Sequence, residues 1–316
     1  MTEEEAERFG RDLDRLAPYG RIAVAVSGGP DSLALLLLAQ AVRPGAVIAA
    51  TVDHGLRADS AAEAHAVAEA CARRGVPHTT LAIKVPDDRT GLQAAARAAR
   101  YAALGRWAAD GGAAWLATGH HRDDQAETVL MRAARGAGVA GLSGIRQSRS
   151  LNEAPGITLI RPLLRWTKAE LEAVVAGSGL APARDPSNDD PRFDRTRARA
   201  LLAQGWPAAD RLVAVAARMA EAEAALAWSA QALAEERLAF ADGAARLDVE
   251  AVPREYRRRL LLMIFAVLVP EARLRGDSLD RLLAALERGE VATLAGLRCE
   301  PGSQWRFAPA APRRAG

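Results

Sequence analysis

Two cysteines in 316 residues, Cys71 and Cys299, lie far apart. That excludes a disulfide framework, a cysteine quartet for zinc and a Cys-x-x-Cys redox pair, and it fits a reducing cytoplasm. Lysine is almost missing: of 42 basic residues only Lys84 and Lys168 are lysine. With the abundant alanine, this skew reflects genomic base composition rather than selection for guanidinium groups. No apolar run approaches the roughly 20 residues of a membrane span. The start, Met1-Thr2-Glu3-Glu4-Glu5, lacks the basic residues of a signal peptide. Neither membrane nor secretion is therefore expected.

Half the residues are hydrophobic, enough for a sizeable core, and the length suggests two domains. The net charge of +3 is uneven. Residues 251–316 hold 12 Arg against 7 Asp/Glu, and residues 201–250 hold 4 Arg against 8 Asp/Glu. A basic tail suits a phosphate-rich partner or a plain solvated surface. If the former, neutralising Arg257, Arg258 and Arg259 should weaken binding of that partner.

Strand-like runs recur at 21–26, 46–52, 78–83 and 113–118, with helical patterns at about 3–17, 32–42, 60–74 and 91–109. This alternation predicts an α/β, Rossmann-like parallel sheet with helices on both faces. Another strand, 157–160, and a helix over 167–177 with Thr167 and Glu170 as a capping box follow. Gly205-Trp206-Pro207 breaks the chain. It divides a catalytic domain, 1–204, from a smaller, mainly helical domain, 205–316. There Leu212, Met219, Leu226, Leu233 and Phe240 recur every seven residues. A straight helix drifts from that repeat by about 20° per heptad. The stripe thus reads as internal core rather than a zipper, although a homodimer stays open. Short strands near 292–299 and 304–307 close the chain.

Three chemical clusters fall at three predicted strand ends, where such sheets bind ligands. The first is Ser27-Gly28-Gly29-Pro30-Asp31-Ser32, between a strand and a helix start. Its glycines admit backbone N–H groups close to an oxygen cluster, and the helix dipole favours an anion. The loop has neither the lysine of G-x-x-x-x-G-K-[ST] nor the spacing of G-x-G-x-x-G. Asp31 beside phosphates would hold Mg²⁺. A plain Gly-Gly turn capped by Asp31 or Ser32 would share these residues. The second cluster is Val52-Asp53-His54-Gly55-Leu56-Arg57. The third, Gly119-His120-His121-Arg122-Asp123-Asp124-Gln125-Ala126-Glu127-Thr128, opens a helix on which Asp124 and Glu127 share a face. Acidic dipole partners, a polar loop or a zinc site are the alternatives there. The glycine-rich 136–141 loop follows Arg132 and Arg135, and a basic run from Arg192 to Arg199 follows Asp185-Pro186-Ser187-Asn188.

Taken together with Arg161-Pro162-Leu163-Leu164, these segments resemble the tRNA(Ile)-lysidine synthetase family of the N-type ATP pyrophosphatase (PP-loop) group. The resemblance covers residues 21 to about 205. It implies ATP-dependent joining of lysine to C2 of the wobble cytidine of a CAU-anticodon tRNA(Ile), with ATP, Mg²⁺, lysine and tRNA as ligands and no structural metal. It implies ATP contacts from Ser27, Gly28, Gly29, Pro30, Asp31, Ser32, Asp53 and His54, and Mg²⁺ held by Asp31 through pyrophosphate. Asp31, Asp124 and Glu127 become the catalytic candidates. Asp124, Glu127, Arg132, Arg195 and Arg199 become the lysine and tRNA candidates. Thr196 departs from the family's asparagine, and the chain matches a short form with one small C-terminal domain. The rivals are a sulfur-inserting tRNA enzyme, for which cysteine pairs are wanting, and a non-catalytic nucleotide-binding module.

Overall fold

The computed structural model describes residues 1–53, 60–83, 92–183, 194–272, 274 and 276–310. His54, Lys84 and the turn-rich 185–188 stretch lie outside these residues.

Six strands form the first sheet: β1 (Arg21–Ala25), β2 (Val47–Asp53), β3 (His78–Ala82), β4 (Ala113–Ala117), β5 (Ser148–Ser150) and β6 (Thr158–Ile160). Their order is β3-β2-β1-β4-β6-β5. All neighbours pair parallel except β5, which runs antiparallel to β6 at the edge. The helices before, between and after them are α1 (Glu3–Leu16), α2 (Pro30–Val42), α3 (Ser60–Ala72), α4 (Leu92–Asp110), α5 (Arg122–Ala134), α6 (Val139–Leu142), α7 (Lys168–Ala176) and α8 (Asp194–Ala203).

β1 shows why the apolar run is unbroken rather than alternating. Ile22 and Val24 pack with Phe9, Leu35, Val67 and Trp166 on one face of the sheet. Ala23, between them, packs with Tyr101, Leu104 and Leu116 on the other. A central parallel strand must be apolar on both sides because helices cover both. The uninterrupted leucines of α2 have the same cause, and Leu33, Leu35, Leu36 and Leu38 are all buried. Capping boxes at Thr2/Glu5 and Thr167/Glu170 start α1 and α7.

Parallel β1, β2 and β4 are neighbours, so their carboxyl ends reach one rim. The expected convergence of the Ser27–Ser32 and 119–128 clusters follows from this order alone.

Two compact units are present, Met1–Met219 and Ala220–Gly316. The division falls inside α9 (Ala209–Arg237), not at Gly205. Gly205 and Pro207 end α8, but they do not end the first unit.

The second unit contains the end of α9, α10 (Arg254–Leu268), α11 (Gly276–Glu287) and a five-stranded antiparallel sheet. That sheet runs β7 (Leu238–Ala241), β8 (Ala244–Asp248), β11 (Gln304–Pro309), β10 (Leu297–Glu300) and β9 (Ala292–Leu294). "Mainly helical" therefore understates it. Phe240 is in β7 and half-exposed, so the heptad stripe ends at Leu233. The chain turns at Asp242-Gly243, with φ of 49° and 70° at the two residues. Two successive positive φ values are those of a type I′ hairpin, which Asp-Gly favours.

The arginines expected on a phosphate-binding surface are engaged within this unit. Arg259 is 8% exposed and bidentate to Glu223 at 2.6 and 2.9 Å. Arg258 pairs with Glu255 at 2.9 Å and Arg257 with Glu287 at 3.5 Å. Each is thus ion-paired within the unit.

Candidate active site

The first site element is the turn from β1 into α2. The N–H of Val26 bonds the carbonyl of Ala50 at 2.8 Å, which carries the parallel register to the last residue before the loop. Gly28 then adopts φ +85°, a left-handed conformation that glycine takes without strain. Ser32 Oγ accepts the N–H of Ser27 at 3.1 Å and donates to the carbonyl of Gly29 at 3.0 Å. That bracing closes the loop on itself. Gly29 is the N-cap of α2, Pro30 follows at the first helical position, and no side chain caps the helix. The first-turn N–H groups of α2 are thus left for an anion, which disfavours a merely capped turn. Asp31 Oδ1 is buried and has no hydrogen-bond partner. Asp53 ends β2 on the same rim.

The second element is the turn from β4 into α5. Thr118 N–H bonds the carbonyl of Ile160, aligning the ends of β4 and β6. Gly119 follows and presses against the first element. A Cβ there would lie 3.0 Å from both the carbonyl carbon and oxygen of Asp31 and 3.1 Å from Ser32 N. Only glycine brings these two turns together without displacing backbone.

His121 joins them chemically. It is the N-cap of α5, in a capping box with Asp124, whose Oδ2 accepts the His121 N–H at 3.0 Å. The ring is 3% exposed. Its Nε2 lies 3.6 Å from Asp31 Oδ2 and 3.6 Å from Asp124 Oδ2, and its Nδ1 lies 3.4 Å from Asp123 Oδ2. Burial disfavours the imidazolium. The hydrogen bonds to Asp123 and Asp31 and the charge of Asp124 outweigh burial and raise the pKa from 6.5 to about 10. As a cation, Nδ1 donates to the Asp123 carboxylate; as the neutral ring it accepts the Asp123 N–H, 3.2 Å away. Asp123 is in turn held down at about 2, chiefly by its hydrogen bond to His121. It also accepts the Lys168 N–H at 2.9 Å. Neighbouring His120 is the reverse case: burial first, then Arg161, Arg97, Arg195 and Arg100, push it down to about 3. Two adjacent histidines thus differ in charge at neutral pH.

Asp124 and Glu127 face the same way from α5 and are 8% and 2% exposed. Burial raises the pKa of Asp124 against the pull of His121 and Arg195. Both carboxylates are answered from α8. Arg195 bridges them, donating Nε to Glu127 Oε2 at 2.6 Å and Nη2 to Asp124 Oδ1. Arg199, one turn on, donates Nε to Glu127 Oε1 at 2.9 Å. The residue spacing explains the geometry, since i and i+4 on one helix share a face.

Asp31, Asp124, Glu127, Arg195 and Arg199 are therefore linked through direct contacts or through His121. Arg132 is not part of that linkage. Its Nη1 donates to the carbonyls of Gly141 and Gly144 at 2.8 Å each, where it supports the glycine-rich loop. The linking role of His121 escaped the sequence reading. Its signal is the N-cap position, three residues before Asp124. Among the described residues, no group of three or more His, Cys, Asp or Glu side chains could hold a metal alone.

Residues 2–205 match the family model described as PP-loop domain. The chain is 46% identical over 320 residues to the tRNA(Ile)-lysidine synthase of Novosphingobium aromaticivorans, covering 98% of this chain and 95% of that protein. It is 41% identical to the synthase of Zymomonas mobilis, covering 93% and 90%. For that of Methylobacterium nodulans the identity is 43%, covering 99% and 98%. Among solved structures, a U34-tRNA thiolase from Methanococcus maripaludis superposes with a TM-score of 0.56 at 20% identity, covering 69% of this chain and 79% of that one. That likeness concerns the fold alone. The rim built by the Ser27–Ser32 turn and the α5 carboxylates belongs to a PP-loop enzyme, and the chain is a member of the tRNA(Ile)-lysidine synthase family.

Proposed function

We propose that the chain joins L-lysine to C2 of the wobble cytidine, position 34, of a tRNA(Ile) with a CAU anticodon, using ATP. The products are lysidine, AMP and pyrophosphate, and decoding changes from AUG to AUA. The observation that carries this reading is the buried Asp124/Glu127 pair, held by cations and linked through His121 to the glycine-lined turn at Asp31.

Cytidine O2 is a poor leaving group, so it first attacks the α-phosphorus of ATP and pyrophosphate departs. The uncapped N–H groups of α2, with Ser27, Gly28, Gly29 and Ser32 around them, would hold the departing charge. Asp31, whose buried Oδ1 has no hydrogen-bond partner, would hold a hard cation such as Mg²⁺. Bound there, the ion would neutralise charge on the leaving pyrophosphate. Lysine Nε then attacks C2, and AMP leaves with the former O2.

Lysine arrives as an ammonium. Freeing its amine at pH 7 costs roughly 4.6 kcal/mol from a reference pKa near 10.4. Asp124 and Glu127 supply the binding charge, and the pair is the proton acceptor at hand. Burial brings Asp124 nearer to accepting that proton. The ammonium replaces a guanidinium of Arg195 or Arg199 on these carboxylates, one cation for another. The buried charges then never stand unpaired, a condition that costs about 3–5 kcal/mol. The displaced arginine becomes available to an RNA or nucleotide phosphate. The smaller unit adds tRNA contacts outside the anticodon, and the cytoplasm supplies all three substrates.

The test is release of AMP and pyrophosphate from ATP by the full chain. It should require lysine and tRNA together. Equal AMP release with lysine replaced by a sulfur donor, or ADP and orthophosphate as products, contradicts the reading.

A further inference from the structure

Trp206 is 84% exposed, more than any other large apolar side chain among the described residues. It stands in the 204–208 connector between α8 and α9, directly after Gly205, whose φ is +81°. Both ends of that connector are pinned to α5. On the α8 side, Arg199 donates Nε to Glu127 Oε1 at 2.9 Å. On the α9 side, Asp210 pairs with Arg122. Arg122 and Glu127 are five residues apart on α5, about 7.5 Å of helix axis. The indole is therefore tethered beside the helix that carries Asp124 and Glu127, with its ring in water.

Single exposed apolar residues are ordinary on a protein surface. This one sits between further exposed apolar groups and unanswered positive charge. Leu201 of α8 and Val215 of α9 are 48% and 39% exposed. Arg211, Val215 and Arg218 recur at i, i+4 and i+7, so they share one face of α9, and both arginines are exposed. Neither has an ion-pair partner among the described residues. On α10, by contrast, Arg254, Arg257, Arg258 and Arg259 each face a glutamate. On α8, Arg197 shares the single carboxylate of Asp194 with Arg135. A bare aromatic plane beside unpaired guanidiniums matches a single-stranded nucleic acid, whose bases stack on the ring while its phosphates take the cations.

We propose that Trp206 is a stacking platform for an unpaired RNA base next to the nucleotide that enters the site, with Arg211 and Arg218 on the phosphates of the same strand. A nucleotide drawn out of its stack leaves its neighbours without a partner. An exposed indole beside the pocket replaces the face they lose. The choice of RNA as occupant rests on the proposed reaction; the tethered ring and the unpaired arginines do not.

The test measures binding of a CAU anticodon stem-loop RNA, and of a fully paired RNA duplex of equal length, over a KCl series. The proteins are the full chain, W206A, W206F and the double variant R211Q/R218Q, with Mg-ATP binding and melting temperature beside them. All three side chains are exposed, so the variants keep the fold and their ATP affinity. W206A should lose about tenfold in affinity for the stem-loop and nothing for the duplex. Its salt slope should not change, because the indole carries no charge. W206F, which keeps an aromatic face, should retain most of the affinity that W206A loses. RNA should quench less of the protein fluorescence in both Trp206 variants than in the wild type. In R211Q/R218Q the slope of log K against log salt should become shallower by about 0.7 per arginine. Folded W206A with wild-type affinity for the stem-loop, or with an equal loss on the duplex, overturns the proposal. So does sedimentation showing that W206A breaks a self-association while RNA affinity stays, which gives the ring to a second copy of the chain. Trp206-dependent binding by a wild type that makes no lysidine would keep this surface and reject the reaction. Lysidine formation with binding indifferent to Trp206 would do the reverse.

Discussion

Replacing Glu127 by Gln tests the carboxylate pair with almost no change of shape. Glu127 is 2% exposed, and its two oxygens accept from Arg195 at 2.6 Å and from Arg199 at 2.9 Å. Gln keeps one acceptor and turns the other into a donor that faces a guanidinium N–H. At least one charge-assisted hydrogen bond is lost, worth about 1.5–3 kcal/mol. The arginine side chains are 44% and 41% exposed, so water screens the remainder and no larger cost is expected. For a unit of this size the melting temperature should fall by about 3–12 °C. ATP binding should hardly change, because the α2 turn has no direct contact with Glu127 among the described residues. Lysine-dependent turnover should fall by a factor of about 100 or more, since the carboxylate both pairs the ammonium and serves proton transfer. The assays are Mg-ATP titration, thermal unfolding and lysidine formation at saturating lysine. Normal turnover by folded E127Q would remove Glu127 from the chemistry. Loss of ATP affinity equal to the loss of turnover would show that the two turns do not act separately.

Three further outcomes follow from other contacts. The raised pKa of His121 stabilises the fold fully below its ordinary 6.5, and that contribution disappears as pH rises through about 10. The stability gap between the wild type and H121Q, followed by denaturant titration, should therefore shrink between pH 6.5 and 10; a constant gap would refute the imidazolium. G119A should impair ATP binding, because the new Cβ meets Asp31 and Ser32 backbone at 3.0–3.1 Å. Its melting temperature should also fall, by the amount overpacking of about 1–3 kcal/mol implies, and unchanged ATP affinity would refute the close approach. R259A should destabilise the smaller unit by about 3–5 kcal/mol through the stranded Glu223, as read by hydrogen exchange in α10, whereas exchange like the wild type's would make the pair dispensable.

The α/β unit was legible because its elements are sharply punctuated. The runs at 21–26 and 46–52 become β1 and β2 within a residue or two, each bounded by charged or small turn residues. The convergence of two clusters on one rim was also legible, since parallel strands with helical crossovers leave few alternatives. What stayed hidden depended on tertiary partners. Arg132 reads as an exposed ligand group in sequence, yet it serves two carbonyls of the loop it precedes. His121 reads like His120, but one is surrounded by carboxylates and the other by arginines. Arg257, Arg258 and Arg259 look like a basic patch until Glu287, Glu255 and Glu223 are seen opposite them. In β7 the heptad spacing of Phe240 coincided with the preceding helix. The Asp-Gly pair that turns the chain after it, at 242–243, carries the hairpin signal.

The central claim is that this rim transfers adenylate to an RNA base oxygen and then replaces it with lysine. The most direct measurement is mass analysis of nucleosides from a CAU-anticodon tRNA(Ile) incubated with the full chain, ATP, Mg²⁺ and isotopically labelled lysine. The account predicts a cytidine at position 34 heavier by lysine less water, with the label retained, formed in equal amount to AMP. Unmodified cytidine alongside consumed ATP would contradict it.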